Sequence, residues 1–113
     1  MDDKEIRVSW RAAIVPLSGN TIVHGRLSML GKRKAVVKAD RNLPPGHRCE
    51  LALMLPKNSP DDVVQFIEGR GVVTRSVLSA EQFHITLDWV ELRGNSESLL
   101  KEYIGKYRAL WKQ

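Results

Sequence analysis

Residues 49–55 read Cys49-Glu50-Leu51-Ala52-Leu53-Met54-Leu55, and the odd-numbered positions are all apolar. Successive side chains of a β-strand point to opposite faces, so this alternation predicts a strand with one buried face. The same period of two recurs at Phe83, Ile85, Leu87 and Trp89. Both segments therefore predict strands of the antiparallel type, with one face on the core and one in water.

Short apolar stretches separated by turn residues fill the chain on both sides of these two strands. Regular short runs of this kind are typical of an all-β sandwich or barrel. The further strand candidates are residues 8–15, 21–30, 35–38, 63–67 and 72–74. Turns or loops are expected at residues 16–20, 31–34, 40–46 and 57–62. The glycines of residues 69–71 interrupt an apolar stretch and indicate a bulge or barrel corner. The sequence thus predicts a mainly β fold, an antiparallel barrel of six or seven strands.

The end of the chain changes from strand to helix periodicity. One face of a helix would carry Leu100, Tyr103, Ile104, Tyr107 and Trp111. Asn95 or Ser96 is the expected N-cap, and the predicted helix covers residues 96–112. We expect its aromatic stripe to seal one end of the barrel; pairing with a second subunit is the alternative.

Length and composition fit one small domain over residues 1–113. The single cysteine, Cys49, excludes an internal disulfide and a multi-cysteine metal site. The sequence has no signal-peptide pattern and no apolar run near membrane-spanning length. We therefore expect a cytoplasmic protein that does not insert into membranes.

Catalytic and metal-binding patterns are missing from the sequence. His24, His47 and His84 lack the spacing of metal ligands, and Asp61-Asp62 is typical of a solvated loop. No glycine-rich loop of the phosphate-binding type precedes a helix. We therefore expect a protein that is not an enzyme and that uses no cofactor or metal.

Positive charge is concentrated in the first half of the chain. The net charge is +5 over the whole sequence, while residues 51–113 carry equal numbers of basic and acidic side chains. The densest cluster is Lys32-Arg33-Lys34. Such a cluster suits a polyanion, which includes a nucleotide, a nucleic acid or an acidic protein face, or it simply solvates a turn.

From Arg7 onward the chain resembles a PilZ domain. The matching stretches are Arg7-Val8-Ser9-Trp10, Ala35-Val36-Val37, Leu43-Pro44-Pro45-Gly46-His47-Arg48, Glu50-Leu51-Ala52-Leu53-Met54-Leu55-Pro56, Ile67-Glu68-Gly69-Arg70-Gly71-Val72-Val73 and Phe83-His84-Ile85-Thr86-Leu87. The resemblance implies a small six-stranded antiparallel β-barrel with a C-terminal helix. It also implies a non-enzymatic bacterial regulator that reads cyclic di-GMP.

Two motifs carry ligand binding in the PilZ family. An Arg-x-x-x-Arg stretch precedes the first barrel strand, and an (Asp/Asn)-x-Ser-x-x-Gly motif follows the second. Arginine offers paired donors to phosphate or to the guanine edge, and it stacks on bases. An Asp or Asn side chain accepts from the guanine, while serine adds a hydroxyl and glycine admits a close backbone approach.

The two motifs fit this chain in two registers. In the first, Arg7 and Arg11 form the arginine motif and residues 26–31 form the other, with Arg26 in the acidic position. In the second, Arg7 is the second arginine, Asp3 replaces the first, and residues 29–34 take the other motif without its key residues. Both registers leave the motifs incomplete, and the second keeps the family spacing. The candidate ligand-binding residues are Arg7, Arg11, Arg26, Ser28, Gly31, Lys32 and Arg33.

Three functions follow as hypotheses. The first is a cyclic di-GMP receptor in which a flexible arm, residues 1–6, orders onto the barrel. The second is an adaptor that binds a protein of a motility, pilus or secretion system without nucleotide, with self-association through the C-terminal helix as a variant. The third and least favoured is a small barrel that binds nucleic acid.

Overall fold

The described part of the chain folds into six strands followed by one helix. The computed structural model describes residues 5–19, 21–57 and 59–111. The elements are β1 (Ile6–Pro16), β2 (Val23–Leu30), β3 (Lys34–Ala39), β4 (Arg48–Met54), β5 (Phe66–Ser79), β6 (Gln82–Leu92) and α1 (Ser96–Trp111). The predicted helix of residues 96–112 is thus confirmed as far as Trp111, and Lys112 lies outside the described residues.

The strands close into one antiparallel barrel in the order β1-β2-β3-β6-β5-β4. Pairing of β4 with β1, which sets Ile14 opposite Leu51, completes the closure. This architecture confirms the predicted six-stranded β-barrel with a C-terminal helix. A closed barrel leaves no long free edge along most strands, so the outer faces of the strands form most of its accessible surface.

Gly69 and Gly71 interrupt the apolar stretch as predicted for a bulge or barrel corner, because the strand pairing is irregular at this point. Both glycines lie inside the single strand β5, with an irregularity in its pairing between Arg70 and Gly71. A Cβ atom on Gly69 would lie 2.1 Å from the carbonyl oxygen of Glu91 on β6. Glycine therefore permits a close approach of two strands here instead of ending a strand.

The hairpin between β5 and β6 was not predicted as a turn. Its two turn residues, Ala80 and Glu81, have φ angles of 52° and 67°. Such left-handed conformations normally favour glycine or asparagine, and neither stands at this turn. Residues 63–65, predicted as the start of a strand, are instead irregular and exposed, and β5 begins at Phe66.

Alternate residues of every strand fill the barrel interior, as the period of two predicts. Fully buried examples are Ile14, Leu27, Val37, Leu53 and Ile85. The Cys49–Leu55 alternation is confirmed, because Cys49, Leu51, Leu53 and Leu55 are all buried.

Helix α1 covers one part of this core. Leu100, Tyr103 and Ile104 are buried, and Trp10 packs edge-on against Tyr103 with ring centroids 5.6 Å apart. The buried Ser96 hydroxyl accepts a hydrogen bond of 2.9 Å from the backbone amide of Glu68, which joins the helix start to β5. The helix face thus packs on the barrel, and self-association through α1 stays a prediction.

The start of the chain differs from the predicted arm of residues 1–6. Ile6 is buried as the first residue of β1, and Glu5 forms an ion pair with Lys34. Residues 1–4 lie outside the described part of the chain. Within the described ranges, no helix is both long enough and apolar enough to cross a membrane.

Candidate functional site

The turn between β2 and β3 forms the first candidate site. The Gly31 amide donates a 2.8 Å hydrogen bond to the Lys34 carbonyl, which closes the hairpin. A pocket of about 200 Å³ beside it is lined by Glu5, Gly31, Lys32, Arg33, Lys34 and Asp88. Lys32 and Arg33 are exposed here. We call this pocket the hairpin pocket.

The hairpin pocket contains carboxylates as well as cations. Lys34 Nζ lies 3.0 Å from Glu5 Oε2, and Lys34 is paired across strands with Asp88. A Cβ atom on Gly31 would lie 3.2 Å from Glu5 Cγ, so the glutamate side chain lies directly over this glycine. An incoming phosphate would meet these carboxylates as well as the lysines and arginine, which weakens anion binding.

The arginines of the first register lie in the body of the barrel. Arg7 and Arg11 are exposed residues within β1, whereas the family motif precedes the first strand. Arg7 lies opposite Met29, and Arg11 lies opposite Arg26. Arg7 belongs to both registers, and residues 29–34 of the second register run from the last two residues of β2 to the first residue of β3.

The predicted ligand residues separate into two groups. Gly31, Lys32 and Arg33 share the hairpin pocket, while Arg11 and Arg26 are neighbours in the middle of the sheet. The Ser28 hydroxyl donates to the Val36 carbonyl at 3.3 Å, so it already has a partner on β3. Arg7, opposite Met29, lies between the two groups.

A row of basic residues crosses the outer face of four strands. Arg11 pairs with Arg26, Arg26 with Lys38, and Lys38 with His84. We call these four residues the basic row. Arg11 and Arg26 were predicted from the sequence motifs, whereas Lys38 and His84 were not. Only the pairing register reveals them, because they are far apart in the chain.

The outer face of β4, β5 and β6 has the opposite charge pattern. Glu50 pairs across strands with Arg70, and Arg70 with Glu91. Glu50 accepts hydrogen bonds from Arg93 Nη2 and from Arg70 Nε, the latter at 2.9 Å. These bonds, Arg93 first, hold the pKa of Glu50 below its ordinary value of 4.5. We call Glu50, Arg70, Glu91 and Arg93 the ion-paired face.

Other reactive groups form no site in the described part of the chain. Cys49 is buried, and burial raises the pKa of its thiol, which makes it a poor nucleophile at neutral pH. Across residues 5–19, 21–57 and 59–111, no cluster of three or more histidine, cysteine or acidic side chains is arranged to hold a metal.

Comparison with solved structures identifies the fold as PilZ-like. The whole chain superposes on the Bacillus subtilis inhibitor of motility, MotI/DgrA, with a TM-score of 0.80 and 18% sequence identity. The chain spans about half of that protein, 53% of its length.

A second match is the PilZ domain of YcgR from Escherichia coli, whose structure was solved with cyclic di-GMP. It matches 99% of this chain over 94% of its own length, with a TM-score of 0.59 and 14% identity. A scan against family models and a search of curated protein sequences gave no match. The resemblance noted in the sequence is therefore confirmed in three dimensions, at the level of fold.

Proposed function

We propose that this chain is a non-enzymatic regulatory module of cyclic di-GMP signalling that acts by binding a protein partner. Its PilZ-like barrel is shared with an inhibitor of motility and with a domain solved with cyclic di-GMP. One observation carries the choice of a protein partner over the nucleotide. In the second register, which keeps the family spacing, Met29, Gly31 and Lys34 stand where the family motif has its Asp or Asn, its Ser and its Gly.

Each of these three residues removes a contact that the nucleotide needs. Met29 offers no strong acceptor to the donor edge of a guanine, and Gly31 has no hydroxyl. Lys34 places a side chain where the family keeps backbone open, and that side chain pairs with Glu5 at 3.0 Å. The Glu5 carboxylate then adds repulsion toward a phosphate.

Direct binding of cyclic di-GMP is the second candidate function. It is favoured by the exposed cations Lys32 and Arg33 at the hairpin pocket, with Arg7 opposite Met29 at the end of β2. These side chains supply charge for phosphate but no acceptor for guanine. Nucleotide bound in this way would show little selectivity between cyclic di-GMP and other phosphorylated nucleotides.

Calorimetric titration with cyclic di-GMP distinguishes the two candidates, with cyclic di-AMP and GTP as controls. The adaptor function predicts no saturable heat up to about 100 µM ligand, hence a binding free energy weaker than about −5.5 kcal/mol. Selective binding of cyclic di-GMP near 1 µM, about −8 kcal/mol, would contradict the adaptor function.

A restored motif tests whether positions 29, 31 and 34 explain the expected loss of binding. The variant combines Met29→Asp, Gly31→Ser and Lys34→Gly with Glu5→Ala, which makes room for the serine Cβ. We expect it to gain heat with cyclic di-GMP that the controls do not give. Glu5→Ala alone is the matched control and should not gain binding. A folded quadruple variant without binding would show that the defect lies elsewhere.

Affinity purification from the source cells tests the partner directly. The proposal predicts the same co-purified protein with and without added cyclic di-GMP. Capture that requires the nucleotide would favour the receptor instead. A cytoplasmic location and self-association through α1 remain predictions that fractionation and ultracentrifugation would check.

A further inference from the structure

We propose that the basic row binds an extended acidic segment of the protein partner, an inference that rests on the proposed adaptor function. The row consists of Arg11, Arg26, Lys38 and His84 on β1, β2, β3 and β6. It lies apart from the hairpin pocket, where the family's second motif falls. The inference specifies an acidic partner and places its binding site on the outer face of β1, β2, β3 and β6.

The register of four strands makes the row continuous. Its members are direct cross-strand partners, and Arg11 and Arg26 are exposed while Lys38 and His84 are half-buried. Neighbouring strands lie about 4.8 Å apart, so the row extends about 14 Å from β1 to β6. A shallow depression of about 380 Å³ lies at one end, lined by Arg11, Ala12, His24, Gly25 and Arg26.

Within residues 5–19, 21–57 and 59–111, the cations of the row, Arg11, Arg26 and Lys38, have no carboxylate as an ion-pair partner. Arg26 donates instead to the carbonyl of Ser9, a neutral acceptor, at 3.3 Å. Like charges directly opposite each other destabilise a sheet. A bound acidic segment would relieve this repulsion. The relief adds to the binding free energy, and an isolated cation would not provide it.

The neighbours of the row favour an acidic protein segment over nucleic acid. Val77 is the cross-strand partner of His84 on β5 and is 40% exposed, and the adjoining Leu78 is 62% exposed. These apolar side chains suit a peptide that carries an apolar residue beside its acidic ones. Single-stranded nucleic acid needs aromatic platforms. Phe66, an exposed aromatic residue, starts β5 away from the row.

The length of the row also suits an extended peptide. A strand rises about 3.4 Å per residue, so a segment of about five residues covers the row from Arg11 to His84. Its acidic side chains would lie over the three cations, and an apolar residue at its end would reach Val77. The proposed ligand is therefore an acidic stretch that ends in an apolar residue.

Fluorescence anisotropy tests the row with a defined probe. The probe is a labelled peptide of consecutive glutamates ending in leucine, and a single-stranded oligonucleotide of equal charge serves as comparison. Wild type is compared with Arg11→Glu/Arg26→Glu. The matched control, Arg48→Glu/Lys57→Glu, changes the net charge equally at exposed cations that lie outside the row. Circular dichroism confirms that all three proteins are folded.

We expect the peptide to bind wild type and the control at low salt, and the row variant to bind at least about tenfold more weakly. Absence of binding to wild type, equal losses in both variants, or an unaffected row variant would overturn the inference. Tighter binding of the oligonucleotide than of the peptide, lost in the row variant, would overturn it in favour of nucleic acid.

Cyclic di-GMP titrated into the same three proteins separates this inference from the proposed function. Selective heat with wild type would contradict the adaptor function, whatever the peptide does. Loss of peptide binding in the row variant alone would still support the row as the acidic-segment site. Failure of the adaptor function and failure of the row as a binding site therefore give different results.

Discussion

Two outer faces of the same barrel carry charged side chains in opposite ways. On the ion-paired face, Glu50, Arg70 and Glu91 alternate in sign across three strands. In the basic row, Arg11, Arg26 and Lys38 have the same sign across three strands. Both sets are direct cross-strand neighbours, and on the ion-paired face the pairing of β5 with β6 becomes irregular just after Arg70.

Alternating signs, as on the ion-paired face, stabilise the fold. A row of charges of one sign does not, and we propose that the basic row binds a partner instead. Opposite charges in cross-strand pairs stabilise a sheet by about 0.2–1 kcal/mol each, and like charges destabilise it by a similar amount. The ion-paired face is therefore complete within the chain. The cations of the basic row have no carboxylate partner among the described residues, and an external anion would supply the missing negative charge. This contrast, more than total charge, identifies the row as the candidate docking surface.

The largest expected effect is the loss of stability when an alanine replaces a glycine beneath either face. It tests whether the backbone is packed equally tightly under both faces. Gly25 lies beneath the basic row, where a Cβ atom would be 2.4 Å from the Lys38 carbonyl oxygen. Gly69 has the corresponding contact, at 2.1 Å, beneath the ion-paired face. We expect Gly25→Ala and Gly69→Ala each to lower the free energy of unfolding by about 1–3 kcal/mol or more in urea denaturation.

Gly19→Ala is the control for both glycine variants, because a Cβ atom there has no neighbour within 4 Å. We expect its unfolding free energy to stay within about 0.5 kcal/mol of wild type. If only one of Gly25→Ala and Gly69→Ala lowered the free energy of unfolding, the two faces would differ in backbone packing as well as in charge.

A smaller effect is expected when the charge of Glu50 is removed from the ion-paired face. Glu50→Gln keeps an acceptor for Arg93 but removes the charge, so we expect a loss of at most about 1 kcal/mol at neutral pH. The folded-state pKa of Glu50 lies below 4.5, so its contribution is full above that pH. It should disappear as the pH falls through the lower folded-state pKa.

Urea denaturation at several pH values checks this prediction, with Glu91→Gln as the control on β6. The difference between wild type and Glu50→Gln should shrink in acid. A difference that stayed constant down to low pH would show that the bonds from Arg93 and Arg70 do not stabilise the fold through the charge of Glu50.

Much of the fold could be predicted from the sequence because its signals are local. The alternation at Cys49–Leu55 and the helical period from Leu100 depend only on near neighbours. The β5–β6 hairpin was missed because Ala80 and Glu81 adopt left-handed conformations without a turn-forming residue. The glycines at 69 and 71 indicated a bulge or barrel corner, but the close approach of β6 to Gly69 is a tertiary contact that the sequence does not show.

The candidate site was only partly predictable, for the same reason. Arg11 and Arg26 were identified through one of the two motif registers, not through their relation in the sheet. Their actual relation is that they are neighbours of each other and, through Arg26, of Lys38. Such a row depends on the pairing register of distant strands, which one sequence does not specify.

The most direct test of the contrast between the two faces is the stability of Arg26→Glu relative to Arg26→Gln. Both variants lose the hydrogen bond from Arg26 to Ser9, so that loss cancels between them. Glutamate between Arg11 and Lys38 would give this face the alternating pattern of the ion-paired face. We expect Arg26→Glu to be more stable than Arg26→Gln by about 0.5–1 kcal/mol in urea at low salt, with the gain reduced at high salt. Equal stability, or a less stable glutamate variant, would contradict the claim that the row is a set of mutually repelling cations kept for an external acidic partner.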